Sequence, residues 1–356
     1  MSMKKKYIDI LLIAVAVLLN ACSSGDSGEQ PDPTDDKPVQ KEIQVMTYAS
    51  QFAETALSRR AAPTGFSAYT PNKTTNMGIY MLLSENPATD WATPKEEKII
   101  YTNKWHAYFE VDANTTYTVY GYMPKTGEMS SSLAKSTADA ATLTINNIKS
   151  VTTDDICIIT GVKNTDEELK EGQFSWSWPI TAGDDNYKIH LLMDHLYAAV
   201  LFRLKIDAEY ATLRTIKLKT MTLRTDYGSV IATISLAHNT TGASPISGVD
   251  FDPSGSSEDF LVFNSDAGTA LDKDTPVDIN TCFAPTLSNN LTMVTTYDVY
   301  DRNNNLIREN STATNKLPNL DAVRGQKVQV NLTVNPTYLY VLSEPDLDNP
   351  TIKIEN

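Results

Sequence analysis

Apolar and polar residues alternate along most of this chain with a period of two. Ala198, Val200, Phe202, Leu204 and Ile206 fall on one face of a segment whose other face carries Arg203 and Lys205. Val328, Val330, Leu332 and Val334 alternate in the same way with Lys327, Gln329, Asn331 and Thr333. Tyr117, Val119 and Gly121 alternate with Thr118, Tyr120 and Tyr122 until Pro124 ends the run. Successive side chains of a strand point to opposite faces, so these segments predict half-buried strands of antiparallel sheets. Further strands are expected within residues 77–83, 99–101, 107–111, 141–145, 156–162, 213–223, 230–236, 260–263, 291–300 and 337–342. Turn formers separate them, as in residues 239–242 and 301–305. Only residues 167–171 and 208–213 suit a short turn of helix. The pattern predicts an all-β chain, two antiparallel β-sandwich domains in tandem.

The first sixty residues follow a different logic. Lys4, Lys5 and Lys6 precede an apolar run, residues 10–19, and then Leu19-Asn20-Ala21-Cys22. That run is well short of the ~20 residues a membrane-spanning helix needs. A basic start, a short apolar stretch and a small residue before cysteine read as a lipoprotein signal peptide, residues 1–21, with Cys22 taking the lipid. Residues 22–41 carry Asp26, Glu29, Asp32, Asp35 and Asp36 among Ser, Gly and Pro, a tether with too little apolar surface to fold alone. If flexible it spans roughly 25 Å. A strand follows, with Ile43, Val45 and Thr47 on one face and Gln44, Met46 and Tyr48 on the other. Behind it, Ser58-Arg59-Arg60-Ala61-Ala62-Pro63 is polar and turn-prone, the kind of segment proteases reach. A cut after Arg59 or Arg60 would separate the lipid and the first strand from everything that follows.

The 356 residues exceed what one hydrophobic core usually serves, which makes two domains the default. The break at residues 181–186 divides them into residues 42–183 and 184–356, to within about fifteen residues. A formal charge of −14, more negative once Lys4, Lys5 and Lys6 leave with the signal peptide, excludes nucleic acid as a partner. Cys157 and Cys282 sit in strand-like apolar runs without CxxC spacing, and read as buried thiols rather than a disulfide.

A search for catalytic or metal chemistry finds little. GxSxG, HExxH, P-loop and dinucleotide-binding motifs are all absent from the sequence. His190 and His195 fall on opposite faces of one strand, so no metal site and no cofactor is expected there. Asp301-Arg302-Asn303-Asn304-Asn305 has oxygens for calcium but reads better as a hairpin turn. Phe174, Trp176 and Trp178 alternate with serines, an aromatic row that suits either a sugar ring or, as the preferred reading, the core. At the far end Ile352 and Ile354 are spaced to enter a groove, and Pro345 and Pro350 would hold this tail off the preceding strand. An edge strand folded on its own domain is the equal alternative.

Taken together, the lipobox and acidic tether, the early strand followed by arginine, YTVYGYMP at 117–124, HLYAAVLFRLKI at 195–206, VRGQKVQVNLTV at 323–334 and the ending at 335–356 resemble the fimbrillin-like lipoproteins of Bacteroidetes. The resemblance covers essentially the whole mature chain. It implies two transthyretin-like β-sandwich domains and a non-enzymatic subunit of a surface pilus, exported as an outer-membrane lipoprotein. It also implies that an Arg-specific protease removes the strand bearing Ile43, Val45 and Thr47, and that a strand from another pilin subunit, with the Ile352 and Ile354 tail as donor, fills the groove. Anchor and tip subunits also occur in that family. The alternative is a monomeric surface lipoprotein that binds glycan or another ligand through Phe174, Trp176 and Trp178.

Overall fold

Strands dominate the computed structural model, which describes residues 39–49, 53–54, 67–68, 78–85, 95–101, 105–111, 116–137, 140–163, 177–179, 188–237, 246–287, 291–317, 320–338 and 345–355. In chain order they begin with β1 (Val39–Ala49), β2 (Ala53–Glu54), β3 (Ser67–Ala68), β4 (Gly78–Glu85), β5 (Lys95–Tyr101) and β6 (Trp105–Val111). Next come β7 (Thr116–Met123), β8 (Ser130–Thr137), β9 (Ala140–Lys149), β10 (Val151–Thr152), β11 (Cys157–Lys163) and β12 (Ser177–Pro179). The second half holds β13 (Lys188–His195), β14 (Ala198–Ile206), β15 (Thr215–Thr225), β16 (Ser229–Ala237), β17 (Ile246–Ser254) and β18 (Glu258–Ala270). It ends with β19 (Val277–Phe283), β20 (Thr292–Tyr300), β21 (Leu306–Lys316), β22 (Gln326–Tyr338) and β23 (Pro345–Glu355). Residues 38–356 cluster as one compact unit.

Four sheets organise these strands. The first runs β11-β13-β1-β6-β5-β4-β7-β12, and an additional pairing of β11 with β7 closes part of that path into a ring. The second runs β10-β19-β14-β22-β2, with β23 also on β22; the third is β18-β15-β20-β21 and the fourth β17-β16-β9-β8. Pairing is mostly antiparallel, as the alternation predicts, but β1 pairs in parallel with β13 and β14 in parallel with β22. The short β2 also lies parallel to β22, and each of these parallel pairs needs a long crossover rather than a hairpin. The pairing of β9 with β16 crosses the 183/184 position expected as a domain boundary.

Period-two patterning decides what each strand buries. Ala198, Val200, Phe202, Leu204 and Ile206 of β14 join Val328, Val330, Leu332 and Val334 of β22 in one core with Ile216, Leu218, Met221 and Leu223 of β15. The sequence-predicted inward faces of β14 and β22 are therefore the observed ones. A second core packs Leu143 and Ile145 of β9 and Ala232 and Ile234 of β16 against Tyr120 and Tyr122 of β7. The half-buried reading of β7 is corrected here: Val119, Tyr120 and Tyr122 are all fully buried, because the sheet is covered on both faces at this strand. Burial pushes the Tyr120 phenol well above its usual range.

Three strands escape sequence reading for a shared reason. β8, β17 and β21 are edge strands, and β21 is exposed along most of its length. An edge strand facing water needs no apolar stripe, so nothing marks it but its hairpin partner. The helical turn expected near 208–213 appears as α1 (Ala208–Ala211), where the Asp207 carboxylate accepts hydrogen bonds from the Glu209 and Tyr210 backbone N–H groups.

Candidate functional site

The region that draws together the sequence-predicted features is the slot holding β1. Ile43 pairs with Ala107 and Val45 with Trp105 on the β6 side. Val45 pairs with Ile189, Thr47 with Leu191 and Ala49 with Met193 on the β13 side. Ile189, Leu191 and Met193 are at most 1% exposed, so by register the Val45, Thr47 and Ala49 positions stand opposite buried residues of β13. β1 is thus an internal strand, hydrogen-bonded along both edges, rather than a strand laid on a rim. Shortly after it, Ala53 and Glu54 of β2 pair with Gln326 and Lys327 of β22, so this leading segment enters two sheets in turn.

The C-terminal tail takes the other part of the β22 edge. β23 pairs with β22 from Asn331↔Glu355 to Tyr338↔Pro345. Ile352 is 6% exposed within the main core, Ile354 packs against it, and the Asn315 side-chain amide donates to the Ile352 carbonyl at 2.9 Å. The expectation that the prolines hold the tail away is corrected: Pro336 and Pro350 face each other where the register shifts. An irregular edge position asks no N–H of either ring, so the strands pair on both sides of it.

Cys157 and Cys282 are both buried thiols, as the sequence suggested. Burial first, and the charge of Asp155 second, raise the Cys282 thiol far above its usual range. Cys157 pairs across β11 and β13 with His195. Around this pair the His195 Nδ1 lies 2.7 Å from Asp155 Oδ2 and 3.6 Å from Cys157 Sγ, and the thiol donates to Asp155 Oδ2 at 3.3 Å. Asp155 and Cys157 both crowd one ring nitrogen. A nucleophile relay needs the base on one imidazole nitrogen and its orienting group on the other, so this trio is not arranged for covalent catalysis. Sequence reading missed it because the partners of His195 come from elsewhere in the fold: Cys157 opens the neighbouring β11, and Asp155 lies in the loop that leads into it.

At the β20–β21 hairpin the turn reading of Asp301 holds in the geometry. Its Oδ1 accepts from the Asn303 and Asn305 backbone N–H groups at 2.8 Å, and its Oδ2 from the Asn305 side chain at 2.9 Å. Asn304 takes the positive φ of 61° that such a turn requires. These bonds, led by the Asn305 side chain, hold the Asp301 carboxyl below its ordinary pKa. A folded-state pKa below the unfolded one means the contribution is present above the unfolded value, about 3.9, and is lost as pH falls through the folded value. Asp301→Ala should therefore destabilise the chain at pH 7 by more than at pH 3, a difference that urea titrations at the two pH values measure. A variant equally costly at both would refute the turn's dependence on the carboxylate.

Trp178 lies in β12, opposite Tyr117 of β7. Cys22, Arg59, Arg60, Phe174 and Trp176 lie outside the described residues, as do the signal peptide and most of the tether.

No known family profile matches the chain, and no curated protein matches it. Solved structures do resemble it at low identity. A candidate cell adhesion protein from Bacteroides fragilis shares 10% identity at a TM-score of 0.42, covering 89% of this chain and 97% of its own. A fimbrial protein from Bacteroides vulgatus shares 14% identity at a TM-score of 0.37, covering 88% and 98%. A candidate cell adhesion protein from Bacteroides uniformis shares 13% identity at a TM-score of 0.36, covering 91% and 99%.

Proposed function

We propose that this chain is a structural, non-enzymatic subunit of a surface pilus, exported to the outer membrane as a lipoprotein on Cys22 and assembled by protease-triggered strand exchange. In this reading the chain comprises two transthyretin-like β-sandwiches, an arrangement supported by the recurrence of one parallel closing pair, β1 with β13 and β14 with β22. The observation that carries the proposal is the position of β1 between β6 and β13, upstream of Arg59 and Arg60. An Arg-specific protease cutting after either arginine releases β1 and β2 together with the lipid. Two sheet edges then lose their partners, and the free edge of β22 beside β23 lengthens. Unpaired edges of this kind recruit an extended strand through main-chain hydrogen bonds, with alternate side chains entering pockets. The donor in this reading is the β23 tail of another subunit, with Ile352 and Ile354 as its apolar pair, which leaves its own edge as in domain swapping.

N-terminal sequencing with intact mass, on protein recovered from the native cell surface, tests this directly. A lipid-free start at Arg60 or Ala61 is expected. A lipidated start at Cys22 on all of the protein would overturn strand exchange and leave an anchored monomer.

A further inference from the structure

We propose that Asp155, Cys157 and His195 form a binding site for one divalent metal ion of the zinc class. The three offer a carboxylate oxygen, a thiol sulfur and an imidazole nitrogen, and these atoms all lie within 4.8 Å of one another. Zinc takes this mixture of ligands at about 2.0 Å to oxygen, 2.05 Å to nitrogen and 2.3 Å to sulfur, in tetrahedral array. One face of such a tetrahedron has edges of about 3.6 Å for sulfur to nitrogen, 3.5 Å for sulfur to oxygen and 3.3 Å for nitrogen to oxygen. The corresponding separations here are 3.6, 3.3 and 2.7 Å. Two edges of the face are therefore already formed, and only the hydrogen-bonded histidine–aspartate edge must open, by about 0.6 Å, as the metal replaces the shared proton. A single carboxylate beside sulfur and nitrogen disfavours calcium or magnesium, which need a cage of oxygens.

The frame around the trio is rigid, as a metal site requires. Cys157 and His195 are a cross-strand pair, and the Leu196 N–H donates to the Ile156 carbonyl at 2.7 Å beside them. Arg324 Nη1 donates to the His195 carbonyl at 2.9 Å and to Asp194 Oδ2 at 2.8 Å, fixing the end of β13. Cys157 is fully buried and His195 3% exposed, whereas the Asp155 side chain is 13% exposed, so water supplies a fourth ligand from the aspartate side. Bound metal would pin β11 to β13 two residues beyond Met193, where β13 parts from Ala49 of β1. The ion thereby stabilises the wall against which the first strand lies, and does so whether or not that strand is later exchanged.

Cobalt(II) substitution reads the site out. The purified full chain, stripped with chelator, is titrated with cobalt(II) alone and then with zinc(II). A thiolate-to-cobalt charge-transfer band with visible bands of tetrahedral strength is expected, bleached by one equivalent of zinc, together with a zinc-induced rise in Tm of roughly 5 °C at a hundredfold excess over Kd. Cys157→Ser should abolish the charge-transfer band and Cys282→Ser should keep it. Asp155→Asn, which preserves side-chain shape, should weaken binding by at least about tenfold. If Cys157→Ser fails to fold, Asp155→Asn decides alone. No charge-transfer band in the unaltered chain, a band that follows Cys282, or unchanged affinity in Asp155→Asn each overturns the proposal.

Discussion

If the chain is the pilus subunit proposed above, Arg59→Ala combined with Arg60→Ala is expected to abolish polymer and leave a folded, lipidated monomer on the cell surface, with the loss read as disappearance of high-mass ladders from unboiled samples. The reason is energetic. β1 is an 11-residue strand paired on both edges. Each net backbone hydrogen bond contributes about 1 kcal/mol, and each larger apolar side chain buried about 1.5 to 3. The sum over such a strand approaches the ~5 to 15 kcal/mol that hold a whole domain folded. While the chain is uncut, β1 is held at high effective concentration and no strand from another subunit displaces it. After a cut the same strand competes as a separate peptide, and exchange becomes possible. Polymer at normal levels in the double variant would sink strand exchange as the assembly route. A synthetic peptide of residues 39–49, added to cut protein before assembly, should delay polymerisation in proportion to its concentration.

Phe202→Ala is expected to cost about 3 to 5 kcal/mol, a large share of the stability of a domain. Phe202 is fully buried in the middle of β14, where it pairs with Ile279 of β19 and Val330 of β22. Both neighbours belong to the same core, and their backbones are locked in the ladder, so the walls cannot close on the vacated volume. The midpoint of urea unfolding should fall with little change in slope. Leu201→Ala, one residue away on the opposite face, at 9% exposure and outside that core, should cost less. Equal costs at the two positions would mean that the two-residue period does not decide which side chains of this strand carry the main core.

That alternation is also why so much of the fold was legible in advance. Whether Val200 or Leu201 meets the main core follows from the two-residue period and from the local apolar pattern, both of which are properties of the segment itself. The faces of β14 and β22 were readable on these terms, and the short helical turn within 208–213 and the hairpin at Asp301 from their own turn-forming residues. β8, β17 and β21 were not, since a wet edge strand leaves no apolar signature. Nor were the two buried faces of β7, since covering by a second layer is a property of the assembly.

Which strands lie side by side is a different question, because backbone ladders bond any sequence to any other and the side chains choose the register only when whole faces are buried together. Local pattern marked 42–49 as a strand, but only the tertiary structure set it between β6 and β13. Pro345 and Pro350 suggested a detached tail; a register shift opposite Pro336 let it pair instead. His195 offered no site when read along its own strand, and acquired Asp155 and Cys157, 40 and 38 residues away, from the loop before β11 and the first residue of that strand. Composition and periodicity thus determined the all-β class and the inward faces, which depend on neighbours in sequence. The slot, the tail's seat and the metal-ligand trio depend on neighbours in space, and came only with the folded chain.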